Sequence, residues 1–439
     1  MEGKGADAII RTETDTSKGH GQKIEFKVTS GFYREPKLGS ANFEQTSDFE
    51  ESKLSSYEMV VDWVRHATSY DKRMEDFMGM RGEITSGLPQ KLGSWLGRYK
   101  SENLFMTFRE KTNSENVVYA NGKTQDTLGS ADTLLWDEIV AMGTRMKPLG
   151  GLPAKVGKGN MFRQCITATT DALFSLKIDP DYKQVQREAE VRGKSNCLFT
   201  GQYTDIDGHI IKPYNPINHD GDGAIASPLN PQAVLNEAIS AGTTTFDLKG
   251  GADSAVNYFK YFPGFQYTFS SGDQLSASTD THYVLVVNPA NAAVDAGKVG
   301  MFSYTTGNDG NKITIVNRLG AAASGDAVTT LGDVTWEDGV WAGKHTEELA
   351  LGATIIPCNS KGVPVGDTLM FGRGAALRGY GMYRNRRDSE KADGNFVTKL
   401  YISSVFGQKI REDRIGRQPG IIRLRHAINY PGLNLPVVS

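Results

Sequence analysis

The segments SKGHGQKIEFKV (residues 17–28) and YEMVVDWVRHAT (57–68) bracket a long unpatterned excursion, and that combination sets the architecture of the chain. In the first segment Ile24, Phe26 and Val28 take one face and Lys23, Glu25 and Lys27 the other, the period of a half-buried strand. The second reads as a returning strand over Tyr57–Thr68. Between them, Thr29 to Ser56 has neither a helical nor a strand period. It carries isolated apolar residues (Phe32, Tyr33, Leu38, Phe43, Phe49, Leu54) and acids (Glu44, Asp48, Glu50, Glu51). An insert of that length is rare in a compact domain unless it serves function or is disordered. Its apolar residues are too sparse for a core and too numerous for a purely solvated tail. Two readings stand: a flexible surface hairpin, or a strand-tipped arm that folds against another subunit.

The remaining composition bounds the function. At 439 residues the chain holds two or three domains, or one large domain with an insertion. A net charge of −2 argues against a protein whose main task is gripping nucleic acid or an anionic membrane. Residues 1–20 lack the apolar core of a signal peptide, and no run approaches the ~20 apolar residues of a membrane span. Cys165, Cys197 and Cys358 are odd in number and widely spaced, which reads as free buried thiols in a reducing compartment. The expectation is a product that is cytosolic where it is made.

Along the chain, residues 1–16 are polar and read as mobile until something holds them. Asp71–Met80 reads as a short helix. Pro89–Glu110 is the strongest helix, with Leu88, Leu92, Trp95, Leu96 and Tyr99 in one stripe that Phe105, Met106 and Phe108 extend. Pro89 suits a first turn, whereas Gly93 and Gly97 each weaken the helix by up to ~1 kcal/mol, so packing must hold it. Further helices are expected at Ser130–Met146, Asp179–Val191 and Pro231–Ala241. Asn160–Leu176 reads as strand then helix, and Asn196–Tyr214 as strand, turn and strand. From Gly242 to His345 the chain turns rich in Thr, Ser, Gly and Val and thin in charge. Candidate strands there are Thr243–Leu248, Tyr258–Ser270, Tyr283–Val287, Met301–Thr305, Lys312–Val316 and Val334–Trp341, which suggests an inserted all-β sandwich or barrel. Met370–Val438 closes the original fold with arginine-rich strands.

Motifs for chemistry fail on inspection. GGLPAKVGKG (150–159) has Leu152 where a phosphate loop needs its first glycine and Gly159 where it needs Ser or Thr. Asp205–Gly208 and His219–Gly223 resemble fragments of calcium loops but lack the third ligand and the closing glutamate. The 7 histidines show no HExxH and no i, i+4 pair, and there is no GxSxG elbow. No cofactor and no metal are expected, and no enzymatic turnover. The arginines of the last segment do cluster: Arg373, Arg378, Arg384, Arg386 and Arg387, then Arg411, Arg414, Arg417, Arg423 and Arg425. Acids Asp388, Glu390, Asp393, Glu412 and Asp413 are mixed among them. Pairing between subunits is favoured over nucleic-acid binding on that account.

Three blocks carry a resemblance. SKGHGQKIEF (17–26) is followed by LGSANFE (38–44) and VRHA (64–67); RGKSNCLFTG (192–201) is followed by DGHII (207–211); and MFGRGA (370–375) opens the closing segment. In this order they resemble the phage major capsid protein family that includes the coat proteins of N-four-like podoviruses. Cys197 stands where that family usually has proline. The likeness covers most of 15–240 and 350–430, and residues 242–345 have no counterpart in it. It implies an α+β Hong Kong 97-type capsid fold: an N-terminal arm at 1–22, an extended β-hairpin loop at 23–64, and a peripheral domain at 65–129 with a spine helix at 88–111. An axial domain would span 130–241, the β-rich insertion 242–345, and the return to both domains 346–439. The implied function is a homo-oligomer of pentamers and hexamers, a virion shell assembled in the host cytoplasm. It would enclose dsDNA non-specifically and meet decoration, scaffolding or portal proteins, with no membrane. Each extended loop would lie on the next subunit, burying Phe32, Phe43 and Phe49. Glu44, Glu50 and Glu51 would pair with bases such as Arg384, Arg386, Arg387, Arg411 and Arg414. The alternatives are an encapsulin-like cargo shell, a tail or fibre protein and, remotely, a soluble hydrolase with a β-domain.

Overall fold

The computed structural model turns these periodicities into 24 strands and four helices among the residues it describes. Those are residues 2–4, 7–29, 54–71, 73, 83–155, 162–189, 208–214, 217–218, 225–235, 245–247, 261–263, 267–268, 274–275, 282–289, 299–305, 312–319, 352–394, 396–413, 416–430, 433 and 435. In chain order, β1 (Glu2–Gly3) and β2 (Ile10–Thr14) precede the hairpin of β3 (Lys23–Thr29) and β4 (Leu54–Val60). Next come β5 (Asp62–Asp71), helix α1 (Glu83–Lys111), β6 (Val117–Tyr119), α2 (Trp136–Met146), β7 (Ala154–Lys155) and β8 (Phe162–Thr169). Helices α3 (Thr170–Ile178) and α4 (Pro180–Ala189) lead to β9 (His209–Tyr214), β10 (Ile217–Asn218), β11 (Ile225–Ala226), β12 (Ala233–Val234) and β13 (Thr245–Asp247). Strands β14 (Tyr267–Thr268), β15 (Gln274–Leu275), β16 (His282–Val287), β17 (Val299–Thr305), β18 (Lys312–Leu319) and β19 (Thr354–Cys358) follow. The chain closes with β20 (Val365–Phe371), β21 (Ala376–Tyr380), β22 (Arg386–Ala392), β23 (Val397–Ile410) and β24 (Ile421–Ala427).

Three six-stranded sheets organise these elements. The central one runs β6-β24-β20-β8-β7, with β9 parallel to β8. Its strands are apolar on both faces, as a sheet covered on both sides requires. Cys165, Ile210, Phe371 and Ile421 share one face in register and pack with Leu104 and Phe108 of α1. Their neighbours Ile166, Ile211, Met370 and Ile422 take the other face and pack with α2, α3 and Tyr182 of α4. A second sheet runs β1-β2-β21-β23-β22, with β5 on the free side of β23. The third runs β12-β19-β16-β17-β18-β13.

Several local expectations change. The helix expected over 89–110 begins at Glu83, so Pro89 lies inside it rather than in its first turn. The strand expected over Tyr57–Thr68 is two strands broken at buried Val61, where the chain crosses from the hairpin to the second sheet. Strand β5 runs on to Asp71, the residue at which a helix was expected to start; of 72–80, Arg73 alone is described. Helix α2 starts at Trp136 rather than Ser130. Asp132 is drawn into a turn by Gly129 N–H (2.7 Å), Asn121 Nδ2 (2.7 Å) and Lys123 Nζ (2.7 Å), while Asp179 caps Trp136 N–H at 2.7 Å. Residues 231–235 are extended instead of helical because Ala233 and Val234 pair with Ile355 and Thr354. Of the strand expected at Tyr258–Ser270, the described residues are a turn at 261–263, with Tyr261 and Phe262 buried, and the two-residue β14; the rest lies outside the described residues. Val334–Trp341 lies outside the described residues. Of the described strands between 242 and 345, β13, β16, β17 and β18 share one sheet with β12 and β19, whose face packs on Ile428 and Tyr430 near the close of the chain, while β14 and β15 pair with each other. Residues 10–14 are held by this chain's own β21, and Ile9 and Ile10 are buried, which answers what fixes the polar start of the sequence. Cys165 and Cys358 are buried free thiols, and burial pushes Cys165 up to about 11.

Buried charges tie α1 to the central sheet. Arg423 grips Asp367 with two parallel bonds (2.8 and 2.9 Å), and Arg425 adds a third at 3.2 Å. Arg423 also donates to the Arg109 carbonyl, and Arg109 donates to the carbonyls of Pro228 (3.0 Å) and Tyr261. Burial alone would raise the Asp367 carboxyl. The charges of Arg423 and Arg425 outweigh it and hold the group down at about 2. A carboxyl lowered in this way stabilises the fold above its unfolded value of 3.8 and loses that contribution as pH falls through about 2. Asp367→Asn strands two buried guanidinium groups and should lower urea stability at neutral pH by about 3–5 kcal/mol. The parent's fall in stability between pH 4 and 2 should shrink correspondingly in the variant. Equal stability of the two at pH 7 would refute the role given to this network.

The hairpin is seated on glycine. Gly379 and Gly407 face each other across β21 and β23, and Ile24, Phe26, Met59 and Val61 pack down beside Leu377 and Val405. A Cβ on Gly407 would stand 2.2 Å from the Val60 carbonyl oxygen, and one on Gly379 would stand 3.1 Å from Ile24. Backbone cannot yield as a side-chain tip does, so Gly407→Ala should lift β4 and cost about 1–3 kcal/mol. Faster amide exchange at Val61, whose N–H bonds the Gln22 carbonyl, would report the lift; unchanged exchange and stability would contradict it.

Candidate functional site

Among the described residues a cavity of about 210 Å³ lies between α2 and the starts of β8 and β9, bordered by Gly143, Lys147, Phe162 and Gln164. Small-molecule sites usually span about 300–1,000 Å³. The exposed surface offers more. Strands β5, β22 and residues 397–403 of β23 make a three-stranded antiparallel ribbon in which each edge strand pairs only with β23 among the described residues.

Period two splits the ribbon into faces. Val64, Leu400 and Ile402 meet Leu92, Trp95 and Leu96 of α1, and the His66 ring stacks on Trp95 at 4.3 Å. The opposite face carries rows in register: Arg65–Ser403–Arg386, Ala67–Tyr401–Asp388 and Ser69–Lys399–Glu390. Trp63 is 46 % exposed, and the Arg65 guanidinium lies 4.8 Å over its ring. The Tyr401 hydroxyl donates to Glu390 at 3.0 Å, and Arg386 pairs with Asp388 at 2.8 Å while lying 4.8 Å from the Tyr383 ring. At the turn between β22 and β23, Arg73 covers the exposed Phe396 ring at 5.5 Å. Strand β22 (RRDSEKA) is exposed at six of seven positions, a charged edge of the kind that resists indiscriminate strand addition. The arrangement can bind a protein surface; it brings no nucleophile and base together.

Phe32, Phe43, Glu44, Phe49, Glu50, Glu51 and Arg414 lie outside the described residues. Arg384, Arg386 and Arg387 fall together at the start of β22. Arg384 and Arg386 are exposed, the former 4.7 Å from the Tyr380 ring. Arg387 turns instead toward α1, where its guanidinium occupies the space a Cβ on Gly93 would need, 2.8 Å away. Arg411 stands apart and half-buried: burial lowers its pKa, Tyr57 of the hairpin opposes that, and a Cβ on Gly374 would touch it. The remaining described arginines divide, with Arg417 exposed in a turn where its backbone N–H donates to Asp413 at 2.8 Å. Arg373 pairs with Asp7 at 3.1 Å, and Arg378, Arg423 and Arg425 serve the interior. Sequence reasoning passed over Trp63, Arg65, Lys399 and Tyr401. Their signal was alternation, since WVRH and KLYI place them opposite residues destined for the helix.

No family model matches the chain. No curated protein matches it either. Solved structures do. The chain is similar to the capsid of Ralstonia phage GP4 at 12% identity, over 99% of this chain and 91% of that one, with a TM-score of 0.55. It is similar to the cyanophage Pam1 capsid at 10% identity, over 97% and 90%, TM-score 0.53. It is also similar to the head of Helicobacter pylori bacteriophage KHP40 at 11% identity, over 98% and 89%, TM-score 0.51. Its mixed α+β fold is therefore that of phage capsid chains, as the sequence resemblance implied.

Proposed function

We propose that this chain is the major capsid protein of a tailed bacteriophage, self-assembling into the icosahedral shell that encloses the dsDNA genome. The observation that carries the reading is the end-to-end likeness to phage capsid chains, which leaves almost none of this chain unmatched. The role is structural rather than catalytic. On this reading the Hong Kong 97-type parts fall at the boundaries given above, with α1 as the spine helix, and the 242–345 segment projects from the capsomer. Kinship with the N-four-like coat proteins rests on the three sequence blocks. Pentamers and hexamers form in the host cytoplasm and become the virion; decoration, scaffolding and portal proteins are the further partners.

The exposed ribbon supports the reading physically. The ribbon's apolar face is covered by α1, and among the described residues its outer face and both edges stay open to a neighbour. Specific contacts bury roughly 1,200–2,000 Å² each, and their multiplicity in a shell makes individually weak ones sufficient. The acidic, aromatic 30–53 loop of one subunit meets the arginine- and aromatic-bearing surface of the next.

Thr29 and Leu54 face each other in register, so replacing residues 30–53 with Asn-Gly closes a two-residue hairpin. The shortened chain should melt with the parent and form no shells under negative-stain electron microscopy, whereas the parent forms closed shells or tubes. Normal shells from the shortened chain would overturn the clasping loop. A parent that stays monomeric at every concentration would overturn the capsid reading itself.

A further inference from the structure

The fold holds two cations, Lys100 and Arg378, away from water, and among the described residues it sets the Glu2 carboxylate against Arg378. Lys100 and Arg378 are 7 and 4 % exposed. Arg378 of β21 donates Nε and one terminal nitrogen to Gln408 Oε1 (3.1 and 2.8 Å) and reaches the Lys100 carbonyl at 3.1 Å. Lys100 Nζ donates to Asn385 Oδ1 at 3.0 Å and the Arg384 carbonyl at 3.3 Å, and lies 4.9 and 5.1 Å from the rings of Tyr380 and Phe406. These partners are all neutral. Among the described residues the carboxylate in contact is Glu2: one oxygen accepts from Arg378, and the other from the Tyr380 hydroxyl at 3.2 Å and Arg384 at 3.4 Å.

The two sides are held with unequal strength. The two buried cations stand on α1 and β21, both packed into the core, and Arg384 stands exposed in the turn before β22. Glu2 sits on β1, two residues long, whose pairing with β2 among the described residues is Glu2↔Ile10 and Gly3↔Arg11. Its side chain is 30 % exposed. A permanent buried demand for negative charge is thus met by a lightly held anion. Burial, and then the charge of Arg378, lowers the Lys100 ammonium to about 8, with Glu2 acting in the opposite direction.

We propose that Arg378, Tyr380 and Arg384, backed by Lys100, form a carboxylate-binding site that Glu2 fills reversibly, so that β1 is a detachable latch and the site accepts a small carboxylate when it lifts. This stands apart from the assembly reading, since the site is internal to one chain. The bond from the Arg378 guanidinium to Glu2 is charge-assisted, and any planar carboxylate of the same bite can replace it.

The test is chemical rescue in the full chain. Glu2→Gln keeps the shape and removes the charge. It should melt below the parent and show amide exchange at residues 2–4 about tenfold faster, as loss of a hydrogen bond to a charged group implies. Sodium acetate should restore its melting temperature saturably, whereas sodium chloride at equal ionic strength should not. The parent, with its site filled, should respond alike to both salts. Adding Tyr380→Phe to Glu2→Gln removes a donor without disturbing the interior and should blunt the acetate response. Identical effects of acetate and chloride on Glu2→Gln, or unchanged exchange at residues 2–4, would overturn the proposal.

Discussion

Everything else in the structure leans on the way α1 is enclosed. From 102 to 109 every residue but Phe105 is buried, so this part of the helix has no solvent face. Yet Glu102, Asn103, Thr107 and Arg109 lie within it. Each is met: Tyr261 donates to Glu102 at 2.7 Å, Gln408 to Asn103 at 2.5 Å, Thr107 to the Asn103 carbonyl at 2.8 Å, and Arg109 to the Pro228 carbonyl. Buried polar groups are costly unless satisfied, so sliding the helix by one turn would orphan several at once. Apolar contact alone would tolerate several seatings. The polar groups select one, and in doing so they fix the relation between the second sheet and the central sheet, both of which α1 touches.

With α1 fixed, the exposed parts follow. Its first half covers one face of the ribbon through Leu92, Trp95 and Leu96, and the crossing of Arg387 over Gly93 locks β22 against it. What remains uncovered among the described residues is the face bearing Trp63, Arg65, Lys399 and Tyr401, together with two edges. The hairpin is handled in the same manner: its buried face is pressed on the Gly379–Gly407 pair, and the segment it carries leaves from a fixed base. Surfaces left open by a rigid scaffold can be reused between copies without the subunit itself yielding.

The sequence disclosed the parts that depend on local period. The alternation of Ile24 and Phe26 against Lys23 and Glu25 gave β3, and the Leu92, Trp95, Leu96 stripe gave the core of α1. What it hid depends on partners distant in sequence. Arg423 and Arg425 looked like members of a surface cluster, though IIRLRHA places them among apolar neighbours; only Asp367, 56 residues away, explains them. Ala233 and Val234 became a strand because β19 arrives more than a hundred residues later. The start of α2 moved because Asp132 found three donors in a turn. In each case a tertiary partner overrode local propensity, and the ribbon's outer face was overlooked because exposure on one face of a strand is defined by what covers the other.

The two populations of charge answer differently to the medium. Pairs such as Arg386–Asp388 and Lys23–Glu58 stand in water, where salt screens them and each contributes little. Asp367 with Arg423 and Arg425 lies in the interior, where screening ions do not reach. A chain arranged in this way keeps its fold insensitive to ionic strength while its surface contacts remain adjustable. That separation is what a subunit needs if it must first fold alone and then join many copies of itself through contacts weak enough to correct. The arginines that look alike along the sequence are thus divided by burial into those that hold the interior together and those that stand in water.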